Sequence, residues 1–326
     1  MELYAMLYQR LTGCEDLAAL LAEYDGKPAI FYQRPATADD TKWGNWQYPR
    51  IDYNVDMQEN PARNTSGVLS INVWCDTEHG AEPEDIEYIL RGLFHAVFAQ
   101  ADDYPYSFSW VRSDAFEVRT EKDQAARTIG VTVVFDIMAY PSQITLCPDP
   151  IRAMNDWTKA ILPQATVIGL DDIDGWLVPT RENPAIYWRL AAQGAQQKHF
   201  THTWVDIVLE GYVCARSAAD RLYSLTRINT AAALAGHVRM EDGSPLFITN
   251  FTCKPHLNHL TQGQIQANGR FGILQPWYGA QPEPKLNRIN IPREIVDGSV
   301  DAAVVDESAP YVFPYKQPKS TNNTDL

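Results

Sequence analysis

NPAIYWRL, residues 183–190, opens as PAIFYQR, residues 28–34, opens: Pro-Ala-Ile, then two aromatic side chains. A β-branched and aromatic run behind a proline reads as a strand. Finding it twice asks whether one fold is written twice, and the segments around each copy bear on the answer.

Ahead of the first copy, Leu3, Met6, Leu7, Leu11, Leu17, Leu20 and Leu21 form a helical stripe broken near Thr12-Gly13. This predicts one helix or two short ones, closed by Gly26 and Pro28. Behind it, YPRIDYNVD (48–56) alternates Ile51, Tyr53 and Val55, and GVLSINVWCD (67–76) alternates Leu69, Ile71 and Val73. That period of two marks half-buried strands. Residues 82–100 then begin with Pro83 among Glu82, Glu84 and Asp85, as a helix N-terminus prefers. Their apolar positions Ile86, Ile89, Leu90, Leu93, Phe94, Val97 and Phe98 extend the helical expectation through Phe98. Residues 106–120 and 127–141 read as a strand pair joined by EKDQAA.

The second copy sits in a similar series. Asp149 and Pro150 cap a short helix over 149–162, and strands follow at 183–193 and 202–214. Ser217, with Asp220 three positions on, opens a helix that runs to Gly236. Strands at 244–255 and 263–277 close the unit. Aligned on Pro-Ala-Ile, the units place Cys75 and Cys214 at equivalent strand ends, and the second either lacks a clear counterpart of YPRIDYNVD or has replaced it. The expected fold class is α+β. It comprises two tandem similar domains, residues 1–141 and 149–278, each a mainly antiparallel sheet packed with helices. From residue 279 to 326 the chain turns Pro-rich, with isolated apolar residues such as Ile289, Ile291, Val304, Tyr311, Val312 and Phe313. That composition predicts an extended arm, not a third core.

Composition narrows function. The 326 residues carry a formal net charge of −14, with nine Trp and sixteen Tyr. An acidic chain gains no counterion-release energy on nucleic acid, so sequence-specific DNA binding is not expected. The aromatic load suits protein contacts. No run approaches eighteen apolar residues, no signal peptide is predicted, and no membrane partner follows. Five cysteines, odd in number and dispersed, suit a reducing cytoplasm.

Phosphate-binding glycine loops and nucleophile elbows are absent, and the sequence predicts no catalytic residue, cofactor or metal site. The nearest metal pattern is Cys253, His256 and His259, in CKPHLNH. It lacks the doubled-pair spacing of structural zinc sites and a fourth ligand, so these read first as exposed residues of a turn between two strands. DDIDG (171–175) reads as a solvated turn. Trp43 and Trp46 lie in a polar arm with Tyr48 and are either tucked onto their own domain or set as anchors for a partner. With Tyr311 and Phe313 they are the candidate partner contacts.

The N-terminal helix, PAIFYQRP, YPRIDYNVD, the run SGVLSINVWCD leading into PEDIEYILRGLF, and GVTVVFDIMAYP together resemble the tail terminator, or tail completion, proteins of tailed bacteriophages. The resemblance spans about residues 1–141. It implies a compact α+β domain that assembles as a ring, usually of six, at the head-proximal end of the tail tube. Such a ring ends tube polymerisation and meets the neck of the capsid, without catalysis. The implied partners are other copies of the chain, the tail tube protein and head-tail connector or neck proteins. DNA would pass through the lumen without specific binding. The implied location is the virion, with the host cytoplasm during assembly. The second copy-like half departs from an ordinary member, so six chains could stack two layers, or three chains could imitate a six-fold ring.

Overall fold

The computed structural model describes residues 2–76, 81–101, 104–120, 123–143, 148–198 and 202–274. Tyr311, Phe313 and the whole predicted arm lie outside the described residues.

The N-terminal stripe folds as α1 (Leu3–Thr12), which buries Leu3, Met6, Leu7 and Leu11, and α2 (Glu15–Ala18), which buries Leu17. The break falls at Gly13, whose N–H closes back onto Gln9 O. Gly26 and Pro28, expected to end the helix, instead belong to a small hairpin of β1 (Glu23–Tyr24) and β2 (Lys27–Pro28). Asp25 (φ 52°) and Gly26 (φ 74°) turn it. Both central residues of such a two-residue loop need positive φ, which Asp-Gly supplies at low cost.

Next come β3 (Ile30–Tyr32), β4 (Arg50–Asp56), β5 (Gly67–Asp76) and α3 (Pro83–Phe94). α3 ends four residues earlier than its apolar pattern predicts. His95 is already extended, Ala96 takes φ 56°, and Phe98 begins β6 (Phe98–Ala101). Val97, Phe98 and Ala99 are all fully buried, and a strand covered on both faces has no alternation to distinguish it from one more helical turn. β7 (Tyr104–Thr120) and β8 (Asp123–Ala139) form a long antiparallel hairpin.

The second series is α4 (Pro150–Ile161), β9 (Thr166–Val167), β10 (Trp176–Leu177), β11 (Ala185–Lys198) and β12 (His202–Cys214). It continues with α5 (Ala218–Ala235), β13 (His237–Arg239), β14 (Pro245–Cys253) and β15 (Ile265–Leu274). Both predicted caps are made. The Asp149 carboxylate accepts from Ile151 N at 2.8 Å and the Ser217 hydroxyl from Ala219 N at 3.1 Å.

Besides the β1-β2 hairpin, the described residues form two larger sheets, in the orders β10-β6-β7-β8-β5-β4-β3 and β13-β14-β15-β12-β11-β9. With β10 set aside, the two orders correspond strand for strand. So do the directions: β3–β4 and β9–β11 are parallel, and every other pair is antiparallel. Register agrees as well. Ile51 lies opposite Val73 as Ile186 lies opposite Val213, and Ile71 opposite Val133 as Gly211 opposite Ile265.

This correspondence corrects the alignment drawn from Pro-Ala-Ile. NPAIYWRL is β11, which stands where YPRIDYNVD (β4) stands, with Pro184 and Pro49 at matching strand entries. PAIFYQR is β3, and its counterpart is the two-residue β9. A proline-led apolar run suits the start of any strand, so equivalence is decided by pairing partners. The cysteines shift too: Cys214 corresponds to Trp74 and faces the opposite side from Cys75.

Each sheet packs one face against its helices. Leu69, Ile71, Val73 and Cys75 of β5 meet α1 and α3 residues in the first core, and Val205, Ile207 and Leu209 of β12 meet those of α4 and α5 in the second. Trp188, 1% exposed, lies flat over Gly211 and donates its indole N–H to Thr158 Oγ1 of α4 at 2.9 Å. A Cβ at Gly211 would come within 2.7 Å of that ring. The described residues belong to one compact unit, Met1–Gln275.

Candidate assembly interface

A third buried cluster lies where the two sheets meet. From the first series it takes Ala96, Phe98, Met138 and Tyr140, and from the second Ile168, Ile173, Ala185, Tyr187, Tyr212, Cys214 and Leu260. Tyr140 is its centre. The ring stands 5.1 Å from Phe98, 5.2 Å from Tyr187 and 6.4 Å from Tyr212. Its hydroxyl bridges Ser107 Oγ and Leu260 O, each at 3.0 Å, and so links the two series through one side chain. Burial holds the Tyr140 phenol well above its ordinary value and pushes Tyr187 up to about 12; both stay neutral, as a dry seam requires.

Further contacts surround this core. Tyr187 donates to Pro141 O at 2.8 Å, and Gln143 accepts from Leu190 N at 2.8 Å. Arg10 and Arg216 donate to Leu93 O and Gly92 O, carbonyls at the C-terminal end of α3 where cations are favoured. β10 adds to the edge of the first sheet, pairing Trp176 with Ala99 and Leu177 with Phe98. The Trp176 ring lies within 6.1 Å of both Phe94 and Phe108, under the Arg10 guanidinium at 4.5 Å. A tryptophan of the second series thus anchors in the core of the first. An open cleft of about 460 Å³ runs beside the seam, with Gln100, Tyr104, Ser142, Asp171 and Asp172 as its polar lining.

Of the candidate partner contacts, the structure gathers Trp43 and Tyr48 around Arg50 on the outer face of the first sheet. The guanidinium lies 4.8 Å from the Tyr48 ring, 5.8 Å from Trp43 and 5.9 Å from Trp74. Below it, Asp52 accepts from Asn72 Nδ2 at 2.7 Å and from the Trp74 indole. Trp43 is half-buried against Tyr24 (5.1 Å) and Phe31 (5.7 Å), and donates to Thr37 O at 2.8 Å. Trp46, 53% exposed, faces outward from the same arm. Of the two, Trp43 is tucked onto its own domain and Trp46 is the more exposed.

A second exposed aromatic group lies on the outer face of the other sheet. Phe247, 42% exposed, is 6.3 Å from His237 and 6.4 Å from Trp204, beside the Arg270–Asp206 ion pair at 2.5 Å.

Cys253, His256 and His259 are not gathered. The Cys253 thiol reaches Asn229 at 3.7 Å, His256 is exposed, and His259 is 9% exposed. Burial, with Arg221 and His95 adding, lowers His259 to about 3. Among the described residues no group of three or more His, Cys, Asp and Glu side chains is placed to hold a metal ion. In DDIDG, Asp171 binds Lys159 Nζ at 2.7 Å and Val167 N at 2.8 Å, while Ile173 enters the seam.

The seam itself was missed in the sequence. Its signal was there: Ala185-Ile186-Tyr187-Trp188 and Tyr212-Val213-Cys214 are apolar without alternation, the mark of strands covered on both faces. No protein-family model matches the chain, and no curated protein matches it.

Proposed function

We propose that this chain is a structural virion protein of a tailed bacteriophage, a tail terminator. It forms a ring at the head-proximal end of the tail tube, ends tube polymerisation and joins the tail to the head or neck. The observation that carries the reading is the repeated unit of helix, three strands, helix and three strands. It occurs twice with one strand order and is joined by an apolar seam of the kind that holds neighbouring subunits together. The likeness of residues 1–141 to terminator proteins supplies the identity of the assembly, and it is an argument by analogy of pattern.

In this reading residues 1–141 and 149–278 are two tandem related domains, each filling one position of the ring, and residues 279–326 are an extended arm along a neighbour's surface. Its partners are further copies of itself, the tail tube protein and the connector or neck proteins. The net charge of −14 suits a lumen that DNA traverses without electrostatic capture.

The test is to add the purified chain to growing tail tubes and image the products. Binding at one tube end with arrest of elongation supports the proposal. Copies that never occupy tube ends refute it. Rings that bind a purified connector but not the tube would assign the chain to the neck instead.

A further inference from the structure

More positive charge gathers at the end of α3 than a helix end requires. Arg10 and Arg216 donate to the carbonyls of Leu93 and Gly92, successive residues, so their guanidinium groups lie side by side. A third, Arg221, donates through Nη1 to Ala215 O at 2.7 Å and to Arg216 O at 3.1 Å, which sets it beside the second. Arg216 and Arg221 flank the N-cap of α5, the end of a helix that attracts anions. Among the described residues none of the three forms an ion pair with a carboxylate, and Asp220 bears on Arg221 without pairing. A chain of net charge −14 thus holds three unpaired cations together.

Two histidines face the same place. His95 follows α3, and its Nδ1 accepts from Trp110 N at 3.1 Å, so its proton sits on Nε2 as a further donor. His259 lies behind, 9% exposed, its carbonyl held by the Cys214 thiol at 3.1 Å, and its Nε2 has no hydrogen-bond partner. The charges of Arg221 and His95 act on His259, and those of Arg216 and Arg221 on His95, so imidazoles and guanidinium groups form one cluster. Capping of α3 accounts for Arg10 and Arg216. It does not account for Arg221 crowded against Arg216, or for a buried imidazole nitrogen with nothing to bond.

We propose that this cluster is a binding site for a phosphate group. Each guanidinium carries five N–H donors and uses one arm on the chain's own carbonyls, which leaves planar forks suited to phosphate oxygens. Arg216 is exposed and opens the site to solvent, while Arg10, Arg221 and His95 are half-buried and His259 lies beneath them. An oxyanion here offsets the mutual repulsion of the cations and supplies an acceptor to the His259 ring. The ligand chemistry is the same whether the phosphate is free or is a phosphodiester of DNA, and the test separates the two. The site is independent of the proposed terminator role, and its test uses no tail tube.

The full chain is titrated by calorimetry at low ionic strength, once with inorganic phosphate and once with a short DNA duplex. Inorganic phosphate should bind one per chain and be displaced by sulfate, but not by chloride at matched ionic strength. Arg216→Gln and Arg221→Gln should each weaken binding about 10-fold or more, the loss of hydrogen bonds to a charged group, and Arg216→Lys should keep part of it. Circular dichroism melting confirms that each variant folds. Phosphate should raise the melting temperature of the unchanged chain more than that of Arg216→Gln. Binding of the duplex alone, with the same dependence on Arg216 and Arg221, supports the site and assigns the phosphodiester as its ligand. Failure of both probes to bind, equal displacement by chloride, or glutamine variants that bind as the unchanged chain does would each overturn the inference.

Discussion

If Tyr140 ties the two halves together, its loss should be felt in both. Tyr140→Phe deletes a hydroxyl that satisfies Ser107 and the Leu260 carbonyl, both at 3.0 Å in a buried setting. Leaving such partners unsatisfied costs about 1–3 kcal/mol. Tyr140→Ala also removes the ring, which costs about 3–5 kcal/mol for a large buried aromatic. Its contacts to Phe98, Tyr187 and Tyr212 are worth about 1 kcal/mol each beyond area, partly overlapping with that figure. At about 2–4 °C per kcal/mol for a large domain, the Phe variant should melt about 2–12 °C lower. The Ala variant should lose at least about 6 °C or separate into two transitions. Urea unfolding followed by both circular dichroism and tryptophan fluorescence reads the effect. The unchanged chain should give coincident curves by the two probes. An Ala variant within about 1 kcal/mol of the unchanged chain, still cooperative, would refute the claim that this seam unites the halves.

Two further outcomes follow from the packing. His259 is lowered to about 3 while the unfolded chain has an ordinary histidine, so its contribution is fully present above pH 6.5 and is lost as pH falls toward 3. Between pH 6.5 and 5 stability should drop by roughly 2 kcal/mol, at 1.36 kcal/mol per pH unit, and His259→Gln should remove that drop in urea titrations at the two pH values. Gly211→Ala places a methyl 2.7 Å from the Trp188 ring, which Thr158 holds by hydrogen bond; a loss of about 1–3 kcal/mol is expected, and an unchanged melting temperature would show that Trp188 moves aside freely.

The parts of this fold legible in the sequence are those with one buried face. Leu69, Ile71 and Val73 announced β5, and Ser217 and Asp149 announced the starts of α5 and α4. What hid was two-sided burial and pairing. Val97 and Phe98 looked like another turn of α3 because a fully covered strand carries no alternation. Pro-Ala-Ile matched β3 to β11, although hydrogen-bonded neighbours make β4 the true counterpart, and local letters do not record neighbours. The repetition itself was legible, since it rests on the order of elements. At the candidate interface, composition singled out Trp43 and Trp46. Only the fold could separate the one packed on Tyr24 and Phe31 from the more exposed one. Arg50, Trp74 and Phe247 sat unremarked in strands, because which face of a sheet each lies on is decided by the pairing of strands.

The central claim is that two halves of one chain fill successive positions of a closed ring. Negative-stain imaging of the assembled chain, with its mass measured in solution, tests it most directly. The account predicts rings with twice as many lobes as chains, six lobes from three copies. Rings with one lobe per chain, or a chain that remains monomeric at every concentration, would contradict it.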